Sequence, residues 1–142
     1  MKIAFGCDHG GYELKLALIE HRKAQGIDCI DLGCNGERVD YPIYGRAVGR
    51  AVTEGIADLG IVCCGTGIGI GMAANKVKGV RCAVVTNTYM AEMAKKHNNA
   101  NVLALGGRIL SAEQAIEYVD IWLNNEFLGD YHADRVAMLD GM

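Results

Sequence analysis

Residues 59–71, LGIVCCGTGIGIG, run six apolar or small residues straight into a segment where glycine recurs at every second position, Gly65, Gly67, Gly69 and Gly71. Its first half, LGIVCC (59–64), has the unbroken apolar character of a strand covered on both faces. Its second half is a glycine loop that opens a short helix ending near Lys76. A strand handed directly to a helix is the repeating unit of a parallel sheet, and the same alternation continues in both directions along the chain. Towards the N-terminus lie a strand at 2–6 (KIAFG), a helix from Tyr12 to Gln25 stopped by Gly26, and a strand at 27–33 (IDCIDLG). A helix then opens at Pro42 and runs to Gly55. Towards the C-terminus lie a strand at 80–85, a helix from Thr88 to Lys96, and a strand at 101–107. A capping-box pattern at Ser111 and Gln114 begins the next helix, through Trp122, and an amphipathic segment HADRVAMLD closes the chain.

Five apolar strands separated by helices predict an α/β fold: a Rossmann-like, doubly wound five-stranded parallel sheet in a three-layer α/β/α arrangement. With 142 residues, no repeat and no linker, residues 1–142 are expected to form a single domain. In such sheets ligands bind beyond the carboxyl ends of the strands, where the strand order switches. The residues expected there are Cys7-Asp8-His9, Cys64-Gly65-Thr66, Thr86-Asn87 and Gly106-Gly107-Arg108.

Composition narrows the function. Half the residues are apolar (51%) and the formal net charge is −3, so nothing points to a nucleic-acid or anionic-membrane surface. No apolar run approaches a membrane span, and MKIAFGCDHG begins as a polar-flanked strand rather than a secretory leader. The six cysteines (7, 29, 34, 63, 64, 82) contain no C-x-x-C pair, so neither a zinc site nor a thioredoxin-type motif is indicated. They are expected as reduced thiols in a cytoplasm.

What the glycine loop holds is the sharper question. Gly69-x-Gly71-x-x-Ala74 fits the loose dinucleotide pattern, but it follows the third strand rather than the first. The next strand ends Val85-Thr86-Asn87, without an acid for a ribose, and no Walker sequence is present. Close helix–sheet packing explains one or two glycines but does not need four in alternation. Alternating glycines near a helix N-terminus let successive N–H groups turn inward as a nest for an anion, an oxyanion as well as a phosphate. A thiol at that position feels the positive end of the helix dipole, which makes Cys64 a candidate base or nucleophile. Strand alternation sends Cys63 to the opposite face, as an ordinary core residue.

The segments GCDHGGYELK (6–15), DYP (40–42), CGTGIGIGMAANK (64–76), HNNANVLALGGR (97–108) and HADRV (132–136) together resemble the type B ribose-5-phosphate isomerases, grouped with the galactose-6-phosphate isomerase subunits. They are spread over nearly the whole chain in family order. The resemblance implies a cofactor-free, metal-free aldose–ketose isomerase of the pentose phosphate pathway, working through a cis-enediolate. By position, Cys64 would shuttle the proton between C1 and C2. Thr66 and the backbone N–H groups of Gly65, Gly67, Ile68 and Gly69 would hold the enediolate oxygens. His97 would help open the sugar ring, with Asp8 on the ring oxygen or a hydroxyl. His9, Arg108 and Arg135 would bind phosphate, and Tyr41 and Asn98 would line the sugar site.

Taken singly, several of these residues have plainer explanations. His97 after Lys95-Lys96 suits a helix C-terminus, Asp8 could cap the next helix, and Arg135 could be a solvated charge. Tyr41 and Asn98 could be turn residues, His21 reads as surface, and His132 is ambiguous. Their joint occurrence in family order is what lifts the named site residues above those explanations.

Topology adds one expectation: His97, ahead of the fifth strand, lies at the sheet edge opposite Cys64. The site is therefore expected to be shared across a two-fold homodimer, alone or paired into a tetramer. The chain departs from the family at 127–135, FLGDYHADR, where the common pattern is roughly F-x-G-G-R-H-x-x-R. Tyr131 replaces an arginine and Asp130 adds a negative charge, which removes one guanidinium from phosphate binding. Allose 6-phosphate or a non-phosphorylated sugar therefore stands beside ribose 5-phosphate as a substrate. A non-catalytic module binding an anionic metabolite is the alternative from another class. A redox role for Cys63-Cys64 is disfavoured, since adjacent strand cysteines point apart.

Overall fold

The computed structural model describes residues 1–142. In chain order its elements are β1 (Lys2–Cys7), α1 (Tyr12–Ala24), β2 (Asp28–Asp31), α2 (Tyr41–Thr53), β3 (Leu59–Cys64), α3 (Ile68–Asn75), β4 (Cys82–Val84), α4 (Thr88–Lys96), β5 (Val102–Gly106), α5 (Ala112–Asn124) and α6 (Tyr131–Asp140). The strands pair throughout in parallel, in the order β2-β1-β3-β5-β4. This is the Rossmann-like three-layer α/β/α architecture expected from the alternating pattern.

Side-chain alternation along the strands builds two cores from one sheet. Ile3, Phe5, Cys7, Ile61, Cys63, Leu103 and Leu105 face α1, α4 and α5, where Leu14, Leu18, Ala91, Ala94, Val119 and Trp122 meet them. Ala4, Val62, Cys64, Val102 and Ala104 face α2 and α3, against Val48, Ala51, Ile70 and Ala74. Cys63 and Cys64 thus belong to opposite cores, as their adjacency on a strand requires. Both faces of the central strands are covered, which is why those strands are apolar without interruption.

Two strands are shorter than their apolar runs. β4 is an edge strand with β5 as its sole neighbour, and side-chain amides take over around its start. Asn75 accepts from the Cys82 N–H at 2.8 Å and Asn101 accepts from the Arg81 N–H at 2.7 Å. Beyond Asp31, β2 gives way to less regular pairing in which Cys7 N–H donates to Gly33 and Cys34 N–H donates to Cys7. The capping box at Ser111 forms in full, with Gln114 bonding back to the Ser111 N–H. Pro42 falls in the first turn of α2, where its missing N–H costs nothing.

The order switches direction between β1 and β3, and the loops leaving these strands touch. A Cβ on Gly11 would fall 2.3 Å from the carbonyl carbon and oxygen of Cys63. That contact brings the start of α1 against the end of β3 and leaves room for no other residue. Gly67 caps α3 with a φ of +82°, a left-handed conformation open to glycine at little cost. No helix is long and apolar enough to cross a membrane.

Candidate functional site

The carboxyl ends of β1, β3 and β5 lie side by side. Cys7 of β1 is in register with Cys63, and Cys64 with Gly106 of β5. The loops that follow therefore start side by side. Cys64 ends β3 almost fully buried, and its Sγ accepts a hydrogen bond from the Gly67 N–H at 3.1 Å. Thr66 is exposed, and its Oγ1 accepts from the Ile68 N–H at 3.2 Å.

These two bonds refine the expected nest. Of the five amides from Gly65 to Gly69, those of Gly67 and Ile68 are already engaged by side chains of the loop. The N–H groups of Gly65, Thr66 and Gly69 donate to nothing within the chain. They stand at the N-terminus of α3, where the helix dipole favours negative charge.

Around this loop the structure gathers most of the residues singled out in the sequence. Asp8 is buried and its Oδ1 accepts from the Gly10 N–H at 2.8 Å, so it orders the β1–α1 turn rather than capping α1, whose cap is Gly11. His9 is exposed and its Nδ1 accepts from the Val39 N–H at 3.4 Å. The Tyr41 ring lies against Gly69, so close that a Cβ there would be 2.6 Å from Cζ. Arg108 follows β5, donates its N–H to Gly65 O at 3.0 Å, and lays its guanidinium over Gly65. One acid, one imidazole, one phenol and one guanidinium thus surround Cys64 and three available amides.

The remaining named residues, His97, Asn98 and Arg135, are elsewhere. His97 ends α4 and precedes β5, which places it at the amino edge of the sheet. Cys64 is level with the far end of β5, so the strand's length of about 13 Å separates the two groups. His97 instead stacks on His132 of α6, with ring centroids 4.1 Å apart and planes 14° from parallel. Tyr131 packs on the same imidazole at 4.3 Å, and the Arg135 guanidinium lies 4.8 Å over the Tyr131 ring. Asn98 is exposed beside His97 and borders a groove of about 430 Å³ along β4 that also meets Arg81, Leu139 and Met142.

His132 is the member of this second group that the sequence does not reveal. It lies 35 positions from His97, and only the return of α6 onto the end of α4 brings them together. Its burial first, then His97 and Arg135, hold its pKa below the ordinary imidazole value of 6.5, with Asp130 opposing. The sign of the consequence is fixed. On acidification the unfolded chain takes up this proton first, so the stability held above pH 6.5 is lost as pH falls towards the folded-state value. A thermal melt should therefore drop in midpoint between pH 7.5 and about 5.5, and His132→Phe should flatten that part of the curve. An unaltered slope in the variant would assign the acid sensitivity elsewhere.

Among the other thiols, burial pushes Cys7 and Cys82 up to about 12 and raises Cys63 and Cys29, which keeps all four as thiols near neutrality. No three His, Cys, Asp or Glu side chains come together as a set that could hold a metal ion.

A family model described as Ribose/Galactose Isomerase matches residues 3–139. Ribose-5-phosphate isomerase B of Escherichia coli (strain K12) is 46% identical over 139 residues, covering 97% of this chain and 93% of that one. A D-erythrulose-4-phosphate isomerase of Pectobacterium atrosepticum is 38% identical over 141 residues, covering 98% and 93%. Among solved structures, ribose-5-phosphate isomerase B of Clostridium thermocellum superposes with a TM-score of 0.98 at 51% identity, over 99% of this chain and 96% of that one. The Mycoplasma genitalium ribose-5-phosphate isomerase B with bound ribulose-5-phosphate gives 0.94 at 39% identity, over 99% and 94%.

Proposed function

The chain belongs to the ribose/galactose isomerase family, and from that premise we propose that it interconverts ribose 5-phosphate and ribulose 5-phosphate through a cis-enediolate, with Cys64 as the base. The observation that carries this reading is a near-buried sulfur set beside three uncommitted backbone amides at a helix N-terminus. Proton abstraction next to a carbonyl needs a base and a preorganised place for the negative charge, and the thiol and free amides at the end of β3 would serve as the two.

The chemistry balances without a cofactor. The Cys64 thiolate takes the C2 proton of the open-chain aldose, and the electron pair moves onto the C1 carbonyl oxygen. The Gly65, Thr66 and Gly69 amides and the Thr66 hydroxyl receive the charge. The O2 proton passes to O1 as the C2 carbonyl forms, and the proton held on sulfur returns to C1. Asp8 would hold a sugar hydroxyl or the ring oxygen, and Tyr41 the sugar face. His9 and Arg108 would contact the phosphate, with the guanidinium supplying charge.

His97, Asn98 and Arg135 fit the same reaction from a second copy of the chain. They would reach across a two-fold interface, with His97 assisting ring opening and Arg135 adding to the phosphate site. A longer sugar such as allose 6-phosphate is a second reading, favoured by Tyr131. That ring lies under the Arg135 guanidinium, and it offers a flat apolar face where a second guanidinium would add charge.

Both readings predict the same label transfer. In deuterium oxide, turnover should place solvent deuterium on the carbon that receives the proton, detected by NMR on ribose 5-phosphate and on allose 6-phosphate. The faster sugar identifies the substrate. Binding of both with no exchange at C2 would reject isomerisation in favour of a module that only holds the anion.

A further inference from the structure

Neither imidazole of the His97–His132 pair makes a hydrogen bond within the chain; His9 is the one histidine whose ring nitrogen does. This is unusual for a histidine read as an acid–base group, because such a ring is ordinarily oriented by a hydrogen bond to its other nitrogen. What orients His97 here is a stack. Its ring lies on His132 at 4.1 Å and 14°, His132 lies on Tyr131 at 4.3 Å, and Arg135 caps Tyr131 at 4.8 Å.

The backbone fixes the platform from both sides. The Leu128 N–H donates to Lys96 O at 3.1 Å, which pins the segment before α6 to the end of α4. Gly129 and Asp130 both have positive φ, at 67° and 57°, and turn the chain sharply into α6. Gly129 O then accepts from the His132 N–H at 3.0 Å. His132 is consequently buried on the first turn of α6, while His97 is half-buried and keeps an open side.

We propose that His132 is a positioning residue for His97, fixing the plane of that ring by stacking so that both His97 nitrogens stay free for the sugar. The proposal rests on the reading of His97 as the ring-opening group. Opening a furanose removes the proton of the anomeric hydroxyl, delivers a proton to the ring oxygen, and breaks the bond between C1 and that oxygen. With neither nitrogen spent on orientation, an imidazole can take the one proton and deliver the other in a single step. A stacked partner supplies orientation without using one.

The charged surroundings are consistent with a neutral platform. Arg135 and His97 face His132 and disfavour its protonation, while Asp130 favours it and is the weaker influence. The α4 lysines are turned elsewhere, Lys95 over the Trp122 ring at 4.9 Å and Lys96 onto Glu92. An uncharged ring can lie on His97 whether or not His97 carries a proton.

Ring opening can be read apart from enolisation. In a Cys64→Ala background, which lacks the proposed base, exchange between the two anomers of [1-13C]ribose 5-phosphate is followed by NMR with the full-length protein. Adding His97→Ala should abolish the catalysed exchange, and adding His132→Ala should slow it about tenfold to a hundredfold, the usual cost of misplacing a reacting group. His132→Phe, a flat ring without nitrogens, should restore it to within about threefold, whereas His132→Asn should not. Melting curves establish that each variant is folded.

The outcomes separate the two ideas. No catalysed exchange with Cys64→Ala, or exchange that survives His97→Ala, would overturn the ring-opening reading and the proposal with it. Exchange that needs His97 but is indifferent to His132→Ala would overturn the proposal alone. Equal losses in the Phe and Ala variants would also overturn it, since a flat ring would then not be what matters.

Discussion

Cys64→Ala should lower kcat by about a thousandfold while substrate still binds, the range expected when a positioned base is removed from a proton-transfer step. The change takes away one sulfur and leaves the loop that surrounds it. Gly67 remains the cap of α3, held by its φ of +82° and its packing on Leu105, so the amides of Gly65, Thr66 and Gly69 keep their places. The one lost bond, from the Gly67 N–H to Sγ, costs stability of about 1 kcal/mol. Activity should therefore collapse far more than stability.

Cys63→Ala is the control that the strand itself provides. Its sulfur is equally close in sequence, but it lies in the core beneath α1, α4 and α5, where burial keeps it protonated. Removing it should cost about 1 kcal/mol of packing and leave kcat within about twofold. Steady-state kinetics and melting curves on the two variants decide the matter. Comparable losses of kcat in both would mean that the loop geometry, not the thiol, carries the reaction.

The contrast between these neighbours was legible in the sequence because a strand imposes a period of two, and no tertiary contact can override which way adjacent side chains point. The glycine loop was legible for a similar reason: four alternating glycines after an apolar strand restrict the backbone to very few conformations. The insertion of β5 between β3 and β4 left no such local mark. It depends on which crossover packs, and Val102, Leu103 and Ala104 would read the same at an edge. Nor could pattern reveal that the Gly67 and Ile68 amides are already used, since only the conformation of the turn brings the Cys64 Sγ and Thr66 Oγ1 onto them. His132 escaped for a third reason. Its role depends on α6 folding back onto α4, and a histidine between tyrosine and alanine on an exposed helix carries no signal of a stacked partner.

Separation of the site residues into two groups leads to the second large effect. Cys64→Ala protomers and protomers carrying both His97→Ala and Arg135→Ala should each be nearly inactive alone, yet regain activity when mixed. The reason is geometric. His97 and Arg135 lie at the amino edge of the sheet and Cys64 at the carboxyl edge, the length of β5 apart at about 13 Å, whereas proton transfer requires contact at about 3 Å. One chain therefore cannot close both groups on one sugar, and a two-fold axis that brings the amino edge of one copy to the carboxyl edge of another builds two complete sites. In a mixed dimer one site receives both sets of substitutions and the other receives none. Random pairing makes half the dimers mixed, each with one intact site of two, so recovery should approach about a quarter of wild-type activity. Co-expression with two different tags and purification through both isolates the mixed species, in which recovery should approach about half. If that species stays inactive while each variant binds substrate, His97 and Arg135 do not complete the site of Cys64 from a partner, and the shared-site reading fails.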